Sequence, residues 1–420
     1  MIAEVNQLPV TSKRPVAAGP DPASGADLRP FWIICACSVW PRQAADISRI
    51  RQLVALGHDP RLLRAVVHRH GVAALVTDGL RAADVAVPVG IDRIARARAG
   101  AALAQLRDTI SLDRLLAEAG ISMLTLKGVA LAHRLHGGVA LRESADIDIA
   151  VAPEHVERAW AALAAAGYVR ERPAASLPHP VLRRYIRVTK DSLHRRGADG
   201  TIVELHWRMS DATTDAAIPP ETDWQRQEIL PDLVLRTLSD DAVFAYLCVH
   251  GAAHLWARLK WLADVATLVR TAPDQGAAWW TAAQARGDTR AVASGLLLAN
   301  ELLALPFPPG FTPPRSVRLR VLVALARRVL RAGGGTRELA TTRWRGWAEF
   351  AASLLLAPDG RVRARVFSRL LVSGDDIADV PLPSLLSPLY VVLRIPLLLR
   401  RRRARRQARL SANHGQSASS

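Results

Sequence analysis

The octapeptide Ser144-Ala145-Asp146-Ile147-Asp148-Ile149-Ala150-Val151 alternates acidic and aliphatic residues. Side chains of a β-strand alternate between two faces, so Asp146 and Asp148 share one face while Ile147, Ile149 and Val151 point into a core. Two carboxylates held within roughly 7 Å repel each other unless a cation lies between them. Hard oxygen ligands of this kind suit Mg²⁺, which takes one or two protein carboxylates and completes its shell with water and phosphate oxygens.

A second segment has the same period. In Thr201-Ile202-Val203-Glu204-Leu205-His206-Trp207, Glu204 and His206 alternate with Val203, Leu205 and Trp207. An acid in mid-strand beside bulky apolar neighbours is costly to bury without a partner. If this strand lies beside the first, Asp146, Asp148 and Glu204 converge. Two Mg²⁺ ions roughly 3.5–4 Å apart could then be held for an in-line phosphoryl displacement. His206 shares the face of Glu204 and is a candidate substrate contact.

Upstream, Leu124-Thr125-Leu126-Lys127-Gly128-Val129-Ala130 ends a strand and opens a helix. Gly128 lets the backbone approach a phosphate, the helix start offers free amide groups, and Lys127 adds a positive charge. Arg142 is a further candidate for a triphosphate contact.

Size and composition bound the alternatives. A chain of 420 residues exceeds one ordinary core, and half its residues are hydrophobic, so two or three packed units are expected. The formal net charge of +18 could point to nucleic acid. Only four of the 56 basic residues are lysines, however, and eight arginines crowd between Arg394 and Arg409, so composition and a basic tail account for most of the charge. Nucleic acid is therefore a disfavoured partner, and the tail leaves peripheral membrane contact open. Cys35, Cys37 and Cys248 are too few for a disulfide framework and lack zinc-site spacing, which fits a reducing cytoplasm. The chain has no uninterrupted apolar run long enough to span a bilayer and no signal-peptide core.

The fold class expected is α+β: a small mixed sheet with helical regions on both sides of it in sequence. A disordered lead is expected over 1–30, and helical periodicity runs through 31–118. The sheet-bearing core covers 119–235, a second helical region 236–380, and an apolar segment with a basic disordered tail 381–420. Within the core, strands are expected at Ile121–Leu126, Ile147–Val151, Tyr185–Arg196 and Thr201–Trp207, the last two joined by a turn at Asp199-Gly200. A helix is expected at Glu154–Ala166, stopped by Gly167. Ser239, followed by Asp240 and Asp241, reads as a helix N-cap.

Lys127-Gly128, then Arg142-x-Ser144-x-Asp146-x-Asp148, then Glu204-Leu205-His206-Trp207, resembles the nucleotidyltransferase superfamily that includes DNA polymerase β. More closely, it resembles the uncharacterised bacterial nucleotidyltransferase family proteins. The stretch from Leu247 to Asp264, with His250, His254, Trp256, Arg258 and Trp261, is similar to the helical region of that group. The resemblance implies that Asp146 and Asp148 bind both metal ions and Glu204 the catalytic one, with Gly128 beneath the nucleotide phosphates. Lys127, Arg142 and Ser144 complete the nucleotide-binding set. This chain has Gly128-Val129 where the superfamily usually has Gly-Ser or Gly-Gly. The activity implied is transfer of an NMP group from an NTP, with ATP as donor, to an acceptor hydroxyl or phosphate. The alternatives are a catalytically silent binding protein of the same fold, a His-Asp phosphohydrolase using His250, His254 and Asp264, and a basic nucleic-acid or membrane adaptor. His-Asp chemistry calls for an adjacent His-Asp pair and further histidines, which are not evident, so His250 and His254 are expected to pack near the cleft.

Overall fold

The acid–aliphatic alternation builds the centre of the sheet. In the computed structural model, the described residues are 26–401 and 403, apart from 175–176, 198–199, 211–216, 343 and 387. Among them, seven strands form one mixed sheet: β1 (Leu124–Thr125), β2 (Asp146–Ala150), β3 (Val169–Arg172), β4 (Asp191–Arg195), β5 (Ile202–His206), β6 (Gln225–Leu230) and β7 (Leu233–Thr237). Their order is β3-β4-β5-β2-β1-β7-β6. β2 lies parallel to β5 and antiparallel to β1, while β4 runs antiparallel to β5.

Helices α1 (Arg29–Cys37), α2 (Ala44–Ala55), α3 (Pro60–His70), α4 (Ala73–Ala82) and α5 (Val89–Glu118) precede the sheet. Their limits follow from ordinary capping chemistry. Asp59 accepts a hydrogen bond from the Arg61 amide at 2.7 Å, Pro60 opens α3, and Gly71 closes it in the left-handed conformation. Within the sheet region lie α6 (Val129–His136), α7 (Val156–Ala165) and α8 (His179–Val188). After it come α9 (Asp240–Ala253), α10 (Leu259–Thr271), α11 (Gly276–Arg286), α12 (Thr289–Leu303), α13 (Val317–Arg331), α14 (Arg345–Leu356), α15 (Gly360–Leu371) and α16 (Gly374–Asp379). A last helical run covers 389–401. No helix among the described residues is long and apolar enough to cross a membrane.

The two faces of β2 and β5 have different fates. Ile147, Ile149, Val151, Val203, Leu205 and Trp207 pack against Val156, Trp160 and Leu163 of α7 and Leu112 and Leu116 of α5. Each such burial contributes roughly 1.5–3 kcal/mol, and together they lock the register, because a one-residue slip would turn the acids into the apolar core. Trp207 also donates its indole N–H to the carbonyls of Ile186 and Thr189, each at 2.8 Å, tying β5 to the end of α8. A larger core joins the helices before the sheet to those after it. It includes Phe31, Val66 and Leu80 with Phe244, Leu262, Leu296 and Leu322, and takes in Leu124 and Leu126 from the sheet.

Three local expectations need correction. The run from Tyr185 to Arg196 is not one strand: α8 continues to Val188 and β4 begins at Asp191. Leu182, Tyr185 and Ile186 recur at helical spacing and pack against the core beneath the sheet, and Pro180 sits in the first turn of α8. The apolar run at Ile121–Leu126 contributes only Leu124–Thr125 as strand. Ser239 does occupy the N-cap of α9, but its hydroxyl donates to Asp241 Oδ1 at 2.7 Å and caps no backbone amide. The turn assigned to Asp199-Gly200 includes Asp199, which lies outside the described residues, although β4 and β5 do pair antiparallel.

Candidate active site

Parallel pairing sets Asp148 directly beside Glu204 and Asp146 beside Ile202. The acidic face of β2 therefore meets the polar face of β5. One ligand atom each from Asp148, Glu204 and His206 lies within 4.8 Å of the others, the group among the described residues able to hold a metal ion. His206 Nε2 stands 3.4 Å from Asp148 Oδ1 and 3.4 Å from Glu204 Oε2, bridging the two carboxylates. Asp146 lies on the same face two residues earlier. The Ser144 hydroxyl donates to its main-chain carbonyl at 2.9 Å and approaches Oδ1 at 3.4 Å.

Burial makes these charges consequential. The Asp148 side chain is fully buried, and neither of its oxygens nor either ring nitrogen of His206 has a well-directed hydrogen bond. Buried acceptors left in this state are costly, and a cation between them would relieve that cost. The donor set fits a divalent ion: carboxylate oxygens suit Mg²⁺ or Mn²⁺, and the imidazole adds a softer ligand.

Lys127 supplies the counter-charge. Its ammonium lies 2.9 Å from Asp148 Oδ1. Burial alone would raise the Asp148 pKa, but Lys127 and His206 outweigh it and hold the carboxyl well below the usual range. Burial would likewise lower Lys127, and Asp148 reverses this, keeping the amine charged. Asp146 is pushed up, by burial and then by the neighbouring charge of Asp148. His206 is raised overall: burial and Lys190 oppose its proton, but the adjacent carboxylates of Asp148 and Glu204, each 3.4 Å away, favour it.

Gly128 follows Lys127 with φ +67° and ψ −130°, a conformation that strongly favours glycine, and a Cβ there would meet nothing within 4 Å. The open space stands at the start of α6, where backbone amides lack helical partners. Gln105 and Thr109 of α5 line the same narrow cleft with Lys127, Gly128, Asp146 and Asp148.

Arg142 has a protein partner. Its guanidinium forms a forked ion pair with Asp264 on α10, with Nε 3.0 Å from Oδ1 and Nη2 3.0 Å from Oδ2, and both side chains are buried. The structure thus brings together Lys127, Gly128, Asp146, Asp148, Glu204 and His206, holds Ser144 against Asp146, and commits Arg142 to a partner 122 residues away. His250 and His254 meet edge to face, with ring centres 4.9 Å apart, and both pack against Trp261. With Asp264 paired to Arg142, these three residues form no metal-capable group among the described residues.

Sequence reasoning missed Asp191, Lys190 and Lys260. Asp191 of β4 pairs in register with His206 and carries ion pairs to Lys190 and, at 3.2 Å, to Arg172. Burial opposes its charge, but Lys190 and His206 bring it down to about 2. Lys260, at the start of α10, donates to the Glu143 carbonyl at 3.2 Å and feels the field of Asp146. The signal was present: the chain has only four lysines, and Lys127, Lys190 and Lys260 all gather around this one acidic patch.

A mixed sheet with an Asp-x-Asp strand, a third carboxylate on its parallel neighbour and a glycine turn at a helix start is the architecture consistent with a nucleotidyltransferase domain. The chain belongs to the uncharacterised nucleotidyltransferase family, whose match spans residues 57–304, more than half of its length. Comparison with curated proteins and with solved structures found no match.

Proposed function

We propose that the protein is a divalent-metal-dependent nucleotidyltransferase that moves an NMP group from an NTP, with ATP as donor, to an acceptor hydroxyl or phosphate. The observation that carries this reading is the parallel register Asp148–Glu204, which sets two carboxylates and His206 within ligand distance of one another. Asp146, Asp148 and Glu204 would hold Mg²⁺, with His206 in reach as a fourth ligand or a substrate contact. When bound, the metal neutralises charge on the phosphates and lowers the pKa of the acceptor hydroxyl.

The chain's own residues supply alignment and charge. Gly128 and the first amides of α6 cradle the phosphates. Lys127, whose ammonium lies 2.9 Å from Asp148 Oδ1, would meet the phosphate oxygens with a positive charge. Ser144 keeps Asp146 oriented. The acceptor oxygen attacks the α-phosphorus, the bond from that phosphorus to the bridging oxygen breaks, and pyrophosphate leaves. Positioning and electrostatic stabilisation are the main contributions expected for such a transfer.

The deciding experiment incubates purified protein with α-labelled NTPs, Mg²⁺ and cell extract beside an Asp146→Asn/Asp148→Asn variant. Label transfer by the wild type that is lost in the variant supports the reading and marks the acceptor. Equal labelling by both proteins rules it out, and absence of labelling with retained nucleotide binding indicates a silent binding protein.

A further inference from the structure

The helical run at 389–401 docks by only one of its faces. Tyr390 is fully buried, donates its hydroxyl to the Val380 carbonyl at 2.6 Å and lies beneath the Arg184 guanidinium. Leu397 is buried one face-repeat further on. Between and beyond them, Arg394 and Arg401 pair with Asp376 of α16, a carboxylate with no exposed side-chain surface, and Arg401 Nε also reaches Asp379 at 3.1 Å. Four successive anchors at helical spacing fix which side of the helix faces solvent.

That outer side is apolar. Leu389, Val392, Ile395 and Leu399 recur at three- and four-residue steps and are 46, 72, 68 and 48% exposed. Leu385, just before the helix, is 93% exposed. Single exposed aliphatics are ordinary, but a continuous stripe leaves apolar surface in water that burial would stabilise. The chemistry around the stripe is one-sided. After Asp379 the sequence has no acidic residue, and arginine occupies 400–403, 405, 406 and 409. Arg403 is exposed at the end of the stripe, as is Arg400, which also pairs with Asp379 at 3.4 Å.

We propose that this outer face is a lipid-docking surface that lays the protein on a membrane containing anionic phospholipid. An apolar face ending in arginines is the pattern of a helix lying in the headgroup plane, where aliphatic side chains enter the acyl boundary and basic residues meet lipid phosphates. Thirteen residues of helix extend about 20 Å, too short to span a bilayer. Parallel pairing with a second copy would juxtapose two arginine-rich ends, and phosphate backbones of nucleic acid have no counterpart for the aliphatic stripe. This surface is independent of the nucleotidyl-transfer reading.

The test is flotation of the full-length protein with vesicles of phosphatidylcholine alone or with one third phosphatidylglycerol, repeated at high salt. Wild type should float with the anionic vesicles, remain largely unbound with the neutral ones, and lose most binding at high salt. Val392→Asp/Ile395→Asp should bind the anionic vesicles at least about tenfold more weakly while keeping the wild-type circular dichroism and melting temperature, since both side chains face solvent. Wild type left unbound by anionic vesicles overturns the proposal, as does equal flotation of the variant. So does a concentration-dependent dimer that the same substitutions abolish without vesicle binding, or retention on nucleic acid alone.

Discussion

Lys127 Nζ sits 2.9 Å from Asp148 Oδ1, inside the cluster where a divalent cation would be coordinated. The ammonium neutralises the most buried carboxylate of the site, so a metal ion bound there would compete with the lysine for one oxygen.

Removing the lysine should therefore separate metal binding from turnover. For Lys127→Met, affinity for Mn²⁺ without nucleotide is expected to rise by about tenfold or more, since a competing charge a few ångströms away is gone. Turnover with NTP should fall by about a hundredfold, because the same amine is lost to the phosphates. Calorimetric titration and steady-state kinetics check the two arms; an unchanged Mn²⁺ affinity would refute the competition.

Asp148 and Glu204 should differ when neutralised. Asp148→Asn leaves Lys127 without its partner in a buried setting, which typically costs about 3–5 kcal/mol, so both stability and activity should drop. The Glu204 side chain is 27% exposed, and Glu204→Gln should cost activity by two to three orders of magnitude, about 10²–10³, with little change in melting temperature. Equal melting temperatures for the two variants would contradict the assigned environments.

Arg142 is expected to act through stability. Arg142→Ala and Asp264→Ala should each lower the unfolding free energy by about 3–5 kcal/mol, because each strands a buried charge. Arg142→Met/Asp264→Leu should recover much of that loss. Denaturant titration measures it; a raised KM for NTP with unaltered stability would instead make Arg142 a phosphate ligand.

Lys260 carries a pH signature. Burial, then the Arg142 charge, lowers it from 10.5 to about 8. Between these values the unfolded chain holds a proton that the folded chain has released, so stability gains from this residue as pH rises through the window. Below about pH 8 both states are protonated and the folded state bears the full cost of the enclosed charge. Lys260→Met removes that cost, so its melting temperature relative to wild type should decline as pH rises from 8 towards 10. A difference that stays constant over that range would show that Lys260 does not titrate there.

Much of the site was legible because its strands carry a strict two-residue period. Asp146-Ile147-Asp148-Ile149 and Val203-Glu204-Leu205-His206 each declare a wet face and a dry face, and Gly128 marks the turn before α6. The edge of the sheet was not legible. β3 reads Val-Arg-Glu-Arg and β6 reads Gln-Arg-Gln-Glu-Ile-Leu, charged and half-solvated strands with no buried face to impose alternation. The segment after Tyr185 misled for the opposite reason: its apolar residues fit strand and helix alike, and packing at Tyr185 selected helix.

The amino-acid order determined which side chains share a face, where the chain turns, and that the acids of β2 and β5 lie on the face opposite the aliphatic core. Only the tertiary structure decided that β5 runs parallel to β2 in the register that sets Glu204 beside Asp148. It also decided that Arg142 turns to Asp264 and that three of the four lysines meet at the acids. The physical reason is range. Periodicity is a local consequence of backbone geometry, whereas a contact spanning a hundred residues exists only when the whole core pays its loop-closure entropy by burying other groups.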